Sequence, residues 1–175
     1  MNSDLRQIEY AAIRATIRER GTARLVLAPL IFIAWGAGAI TTTAAIGIAL
    51  ATLVPLMVLA AGFEAIFALH TNVERIGRYL QVYHEDGEGW EHVAMDFGRR
   101  FPGAGPDPLY SRLFVIATSI NYLPAALGGT PIEAGILAVL HFGLLLRIRV
   151  ARQAAAVQRA ADLERFASLK ANRGS

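Results

Sequence analysis

Thirty-nine consecutive residues, Leu25 to Phe63, pass without one charged side chain. A second stretch, between Arg112 and Arg147, carries a single formal charge, Glu133. An apolar run of about 10–14 residues suits a buried core helix, whereas a bilayer-crossing helix needs about 20. Both stretches are too long to be single core helices. The first is also too long for one span and suits a tight hairpin. The second is broken by Pro124, Gly128, Gly129 and Pro131, which split an otherwise overlong helix in two. The composition agrees: 54% hydrophobic and 18% charged residues, with a mean hydropathy of +0.41, values that ordinary soluble domains rarely combine.

The expected fold class is all-α: a polytopic membrane protein with two transmembrane helical hairpins, four spans in all, and helices extending into a cytoplasmic stalk. The expected segments are a cytoplasmic helix over 1–24, a first hairpin over 25–69, a stalk helix and acidic loop over 70–112, a second hairpin over 113–146, and a basic helix over 147–175. The charged segment before Leu25 is unlike a secretory signal, whose apolar region would start sooner.

Topology follows from the arginines. With four spans, every Lys and Arg falls in one water phase, and the two hairpin turns opposite carry none. The positive-inside rule then places both termini in the cytoplasm and the protein in the inner (cytoplasmic) membrane. One span in place of the second hairpin is the competing layout. It would put the C-terminal segment 147–175, net +5, on the opposite side. The basic balance is accounted for by anionic lipid beside the spans and does not point to nucleic acid.

The second span is expected to continue without a break, from about Ala44 to Glu85, as a rod on the order of 60 Å long. Ile66, Leu69, Val73, Ile76, Leu80 and Tyr83 follow one another at spacings of three and four, a heptad seam that needs partner helices. On the first helix, Leu5, Ile8, Ala12 and Ala15 form one apolar side and Tyr10, Ile13 and Ile17 another, so packing onto the seam is expected; an interfacial amphipathic helix is the alternative. Val150, Ala154, Val157 and Ala161 offer a narrow seam on the last helix. Ala45/Ala49, Gly47/Ala51 and Ala61/Ala65 are small-xxx-small pairs that let helices approach in lipid. Pro29 and Pro55 are expected to kink their helices.

Residues able to carry chemistry are few. There is no cysteine, and nucleotide-loop, dinucleotide, nucleophile-elbow and zinc-protease motifs are absent. Glu64 is the one acid within reach of the first hairpin; pairing with Arg24 or Arg20 is its structural reading, a proton or cation site its functional one. His70 and His141 could ligate a haem b axially from facing helices. Otherwise they are ordinary histidines, His70 beside Glu74 and His141 hydrogen-bonded in the bundle. Asn121, with Thr118 and Ser119, suits interhelical bonding, including a bond to His141, or else a polar pore. Glu133 suits an N-cap role after Pro131. His84, Glu85, Asp86, Glu88, Glu91 and His92 read as a solvated acidic loop, with a weak divalent-cation site as the sharper reading. Glu74 and Arg78 stand in the favourable i,i+4 order, on a face shared with Arg75 and Tyr79.

A chain rich in packing signals and poor in reactive groups points to a non-enzymatic membrane scaffold or accessory subunit that self-assembles or joins a larger complex. Its partners are then membrane lipid and other subunits, with no cofactor required. An oligomeric channel or transporter, and a haem-binding electron carrier, are the two rivals.

Overall fold

A computed structural model describes residues 3–85, 87–101 and 107–174. Among these, all regular structure is helical: α1 (Ser3–Thr41), α2 (Leu53–Tyr83), α3 (Trp90–Arg100), α4 (Asp107–Gly128) and α5 (Pro131–Gly174). Asp86, named above with the acidic loop, lies outside the described residues. Three helices are long and apolar enough to cross a membrane, with mean hydropathies of 1.9, 2.0 and 1.8 over their most apolar windows in α1, α2 and α5.

The hairpin between α1 and α2 is wider than expected. A five-residue π-type turn, Thr42–Ile46, closes on Gly47, whose N–H donates to the Thr42 carbonyl at 3.1 Å. Gly47 is left-handed at φ 67°, a conformation that a Cβ disfavours. A short 3-10 turn, Ala49–Thr52, follows. The rod therefore begins at Leu53, not Ala44. Pro55 falls in its first turn, where a missing N–H costs nothing because the first four are unbonded in any case; the expected kink at Pro55 loses its basis. Ala45 and Gly47 lie in the turn and Ala61 and Ala65 are exposed, so these small residues do not make the close approach. Gly62 does: a Cβ there would fall on Ile31 Cγ2 and within 2.9 Å of Ile31 Cγ1 and Cδ1.

At the other hairpin, Pro131 opens α5 and Thr130 caps it. Thr130 N–H donates to Glu133 Oε2 at 2.9 Å, and Glu133 N–H donates back to Thr130 Oγ1 at 3.3 Å. This reciprocal capping box uses two of the helix's unbonded donors.

The chain divides into two compact units. One comprises 25–67 and 107–152, and packs parts of α1, α2, α4 and α5 together. Its centre is Leu59 and Phe114, with Ala28, Ile31, Phe63, Ala117, Leu144 and Ile148 around them. Phe114 stacks at a tilt on Phe32 (5.0 Å) and edge-on against Phe63 (5.5 Å). In lipid such packing gains dispersion and shape fit rather than hydrophobic free energy. The outside of this unit is as apolar as its inside: Ile33, Met57, Leu127, Ile132 and Val139 are all exposed. Of the most apolar windows of α1, α2 and α5, only 17%, 44% and 28% is buried.

The other unit comprises 1–24, 68–106 and 153–175, and is held differently. Leu80 is fully buried there, but most cross-helix joins are polar. Arg75 pairs with Asp162 at 3.1 Å and Glu74 with Arg159 at 2.6 Å, tying α2 to α5. Tyr79 donates to Glu9 on α1 at 2.6 Å. This explains why the expected seam on α5 is displaced. Ala154 and Val157 are exposed, while Ala155, Arg159 and Asp162 face inward, because charge pairing and not apolar burial selects the face. On α1, the Tyr10/Ile13/Ile17 side is partly covered and Leu5, Ile8 and Ala12 are exposed.

Candidate functional site

Besides the Arg75–Asp162 and Glu74–Arg159 pairs, three polar constellations gather the candidate residues in the described structure. The first lies inside the apolar unit. Trp35 on α1 donates its indole N–H to Asn121 Oδ1 at 3.1 Å. Asn121 on α4 spends its amide hydrogens on the Thr52 carbonyl (2.9 Å) and on His141 Nε2 (2.9 Å). His141 on α5 faces the Leu137 carbonyl with Nδ1 at 2.7 Å. A carbonyl only accepts, so Nδ1 carries the proton and Nε2 is the acceptor. The donors and acceptors match one to one, and every member is neutral. Asn121 and His141 are 3% exposed, so a missing bond could not be replaced by water. The chain of bonds fixes the depth of α1, the Ala49–Thr52 turn, α4 and α5 against one another. The sequence put Asn121 and His141 together; it did not supply Trp35 or the Thr52 carbonyl, since neither follows from helical spacing. Thr118, fully buried beside them, has no hydrogen-bond partner among the described residues. Ser119 donates to the Val115 carbonyl in its own helix at 2.9 Å.

The second constellation is Glu64. Its partner is Arg147, not Arg24 or Arg20: Arg147 Nη2 and Nε each lie 2.8 Å from a carboxylate oxygen, a two-pronged bond. The same guanidinium covers the Phe67 ring at 5.4 Å. The expected partners came from counting depth outward from Thr41–Thr43, and the wider turn invalidates that count. Arg24 instead approaches His70, Nη1 to Nδ1 3.3 Å, within the polar unit. His70 and His141 thus belong to different units, each with its own partner.

The third is the supposed acidic loop, in which Glu88 is exposed but Glu85 and Glu91 are not solvated. Glu85 Oε2 accepts the backbone N–H of Glu91 (3.0 Å) and of His92 (3.3 Å), which caps the start of α3. The His92 ring closes on the same carboxylate at 3.2 Å. Glu91 bridges Arg14 (2.8 Å) and the buried Arg78 (3.7 Å). Burial pushes the Arg78 guanidinium below its ordinary value, opposed by Glu74 and Glu91. Gly77 permits this arrangement, because a Cβ there would lie 2.6 Å from Glu91 Oε2. Arg78 is therefore buried and held by Glu91 and Gln81 as well as lying near Glu74, rather than standing exposed. Spacing concealed all this: Arg14 and Glu91 are far apart in the chain, and only the return of α3 joins them.

Two cations finish α2. Lys170 donates to the Val82 carbonyl at 2.6 Å and Arg6 to the Tyr83 carbonyl at 3.3 Å, where unbonded carbonyls and the helix dipole favour positive charge. Among the described residues no group of three or more His, Asp or Glu side chains is arranged to hold a metal ion. Each constellation joins helices or ends one. No protein-family model, curated protein or solved structure matches the chain.

Proposed function

We propose that the chain is a non-enzymatic integral membrane protein that acts as a scaffold or accessory subunit, assembling with itself or within a larger membrane complex. The observation that carries this reading is how its intramembrane polar groups are used. The bonds of Trp35, Asn121 and His141 are satisfied by one another and by backbone, and Glu64 is clamped by Arg147. A pore or a proton path needs polar groups with capacity left over for an ion or water, and axial haem ligation needs a histidine nitrogen that is not already bonded. The large exposed apolar surface of the same unit suits lipid and neighbouring subunits.

In this proposal α4 is a fourth pass. Its uncharged part, Leu113 to Gly128, reaches about 24 Å, which local thinning or snorkelling by Arg112 would match to the roughly 30 Å hydrocarbon thickness, and Phe114 and Ala117 belong to the same core as α1, α2 and α5. Four passes in the inner membrane leave both termini and all Lys and Arg in the cytoplasm.

The test is the mass and composition of the complex extracted in mild detergent. Assembly predicts a defined oligomer or a stoichiometric partner; a lone monomer overturns it. Purified protein in liposomes should show no selective ion flux. Flux that disappears with Glu64→Ala or Asn121→Ala would establish a pore instead. A Soret band after haem-replete expression would replace the scaffold with an electron carrier.

A further inference from the structure

α3 has an apolar face that nothing in the described structure covers. Trp90, Val93, Phe97 and Phe101 are 68%, 56%, 54% and 56% exposed. At 100° per residue Trp90, Val93 and Phe97 fall within an arc of about 60°, and Phe101, just past the helix, packs its ring 4.9 Å from that of Phe97. The helix is nonetheless firmly seated: Glu91 holds Arg14 and Arg78, and Met95 lies against Arg78. The stripe is thus a fixed outward surface on an anchored helix.

We propose that this stripe beds into the headgroup–acyl boundary of the bilayer, so that α3 is an interfacial helix lying on the membrane. Three observations select lipid as the occupant. Tryptophan and phenylalanine on one face of a short, strongly amphipathic helix are the composition of interfacial helices. Arg100 closes the same helix beside the stripe, matching anionic headgroups, while Arg99 pairs with Asp96 away from it. Finally, α3 is tethered: only residues 102–106 separate Phe101 from α4, a link that reaches at most about 20 Å. A face so close in sequence to a lipid-facing helix is presented to the bilayer at high effective concentration.

The inference rests on the membrane reading above, and the test separates the two. The chain has no cysteine, so single cysteines can be introduced for nitroxide labels without background. Val93→Cys and Phe97→Cys probe the stripe, Arg99→Cys the opposite side of α3, and Phe142→Cys the exposed apolar side of α5. All are surface positions, so folding should survive. In nanodiscs containing anionic lipid, collisions with oxygen should exceed those with a water-soluble nickel chelate at 93, 97 and 142, and the order should reverse at 99. Arg100→Gln should reduce the oxygen preference at 93 and 97 and leave 142 unchanged. Water access at 93 and 97 with lipid access at 142 overturns the interfacial helix while the membrane reading stands. Water access at 142 as well overturns both. Labels at 93 shut off from both reagents and dipole-broadened by each other would identify a second copy as the occupant and also overturn the proposal.

Discussion

Asn121→Leu keeps side-chain volume roughly constant and removes three hydrogen bonds, to Trp35, Thr52 and His141. Polar bonds between membrane helices average about 0.6 kcal/mol and reach about 1.7 kcal/mol. Three at the average come to roughly 2 kcal/mol, the expected loss of stability for this variant. His141→Leu removes one of the same bonds and strands one Asn121 hydrogen, so about 1 kcal/mol is expected. The single costs should overlap. The triple variant Trp35→Phe/Asn121→Leu/His141→Leu leaves only the Thr52 and Leu137 carbonyls without their side-chain donors and should lie within about 1 kcal/mol of the parent. The assay is reversible unfolding in mixed micelles of rising SDS fraction, followed by helicity. If Asn121→Leu and His141→Leu add without overlap, or if Asn121→Leu is as stable as the parent, the bonds are not one network and the reasoning fails.

Four further outcomes are expected. Gly62→Ala should lose about 1–3 kcal/mol through overpacking against Ile31, and Ile31→Ala in the same chain should recover part of it, measured in the same unfolding assay. Glu91→Gln leaves the buried Arg78 without its nearest carboxylate and should cost about 3 kcal/mol, with protease sensitivity appearing first around α3. Gly47→Val should cost about 1 kcal/mol or more, since a side chain at φ 67° is strained; an unchanged SDS midpoint would refute that assignment. Burial first, then the bond to Glu9, pushes the Tyr79 phenol up to about 12. The folded state therefore holds this proton more tightly than the unfolded chain does, so the stabilisation is complete below about pH 10 and fades as the pH climbs toward the raised value. Ultraviolet titration at alkaline pH should show one late-ionising tyrosine, absent in Tyr79→Phe.

The charge-free stretches made the helical, membrane-suited character legible, because span length and charge exclusion depend on composition alone. Glu133 as a cap was legible for a similar reason: Thr130, Pro131 and Glu133 form a local signature. What escaped the sequence depended on register or on distant residues. The turn at Thr42–Thr52 reads as a few alanines and threonines, yet its π and 3-10 turns delay α2 to Leu53, and that shift moved Glu64 from the arginines of α1 to Arg147. Gly62 was overlooked because its partner is a β-branched isoleucine on another helix, not a second small residue. The acidic cluster looked solvated because Glu85 and Glu91 precede or open a short polar helix. Their burial comes from Arg14 and Arg78, which apolar periodicity cannot locate.

The Trp35–Asn121–His141 chain is held together without a formal charge. A membrane potential does work only on charge that moves through its field, about 2.3 kcal/mol per elementary charge per 100 mV. Shifting or breaking these neutral contacts therefore draws almost nothing from the voltage across the host bilayer. The helix junctions they form should hold equally well in an energised and a de-energised cell, so any response of this protein to membrane energisation must enter through its charged surfaces.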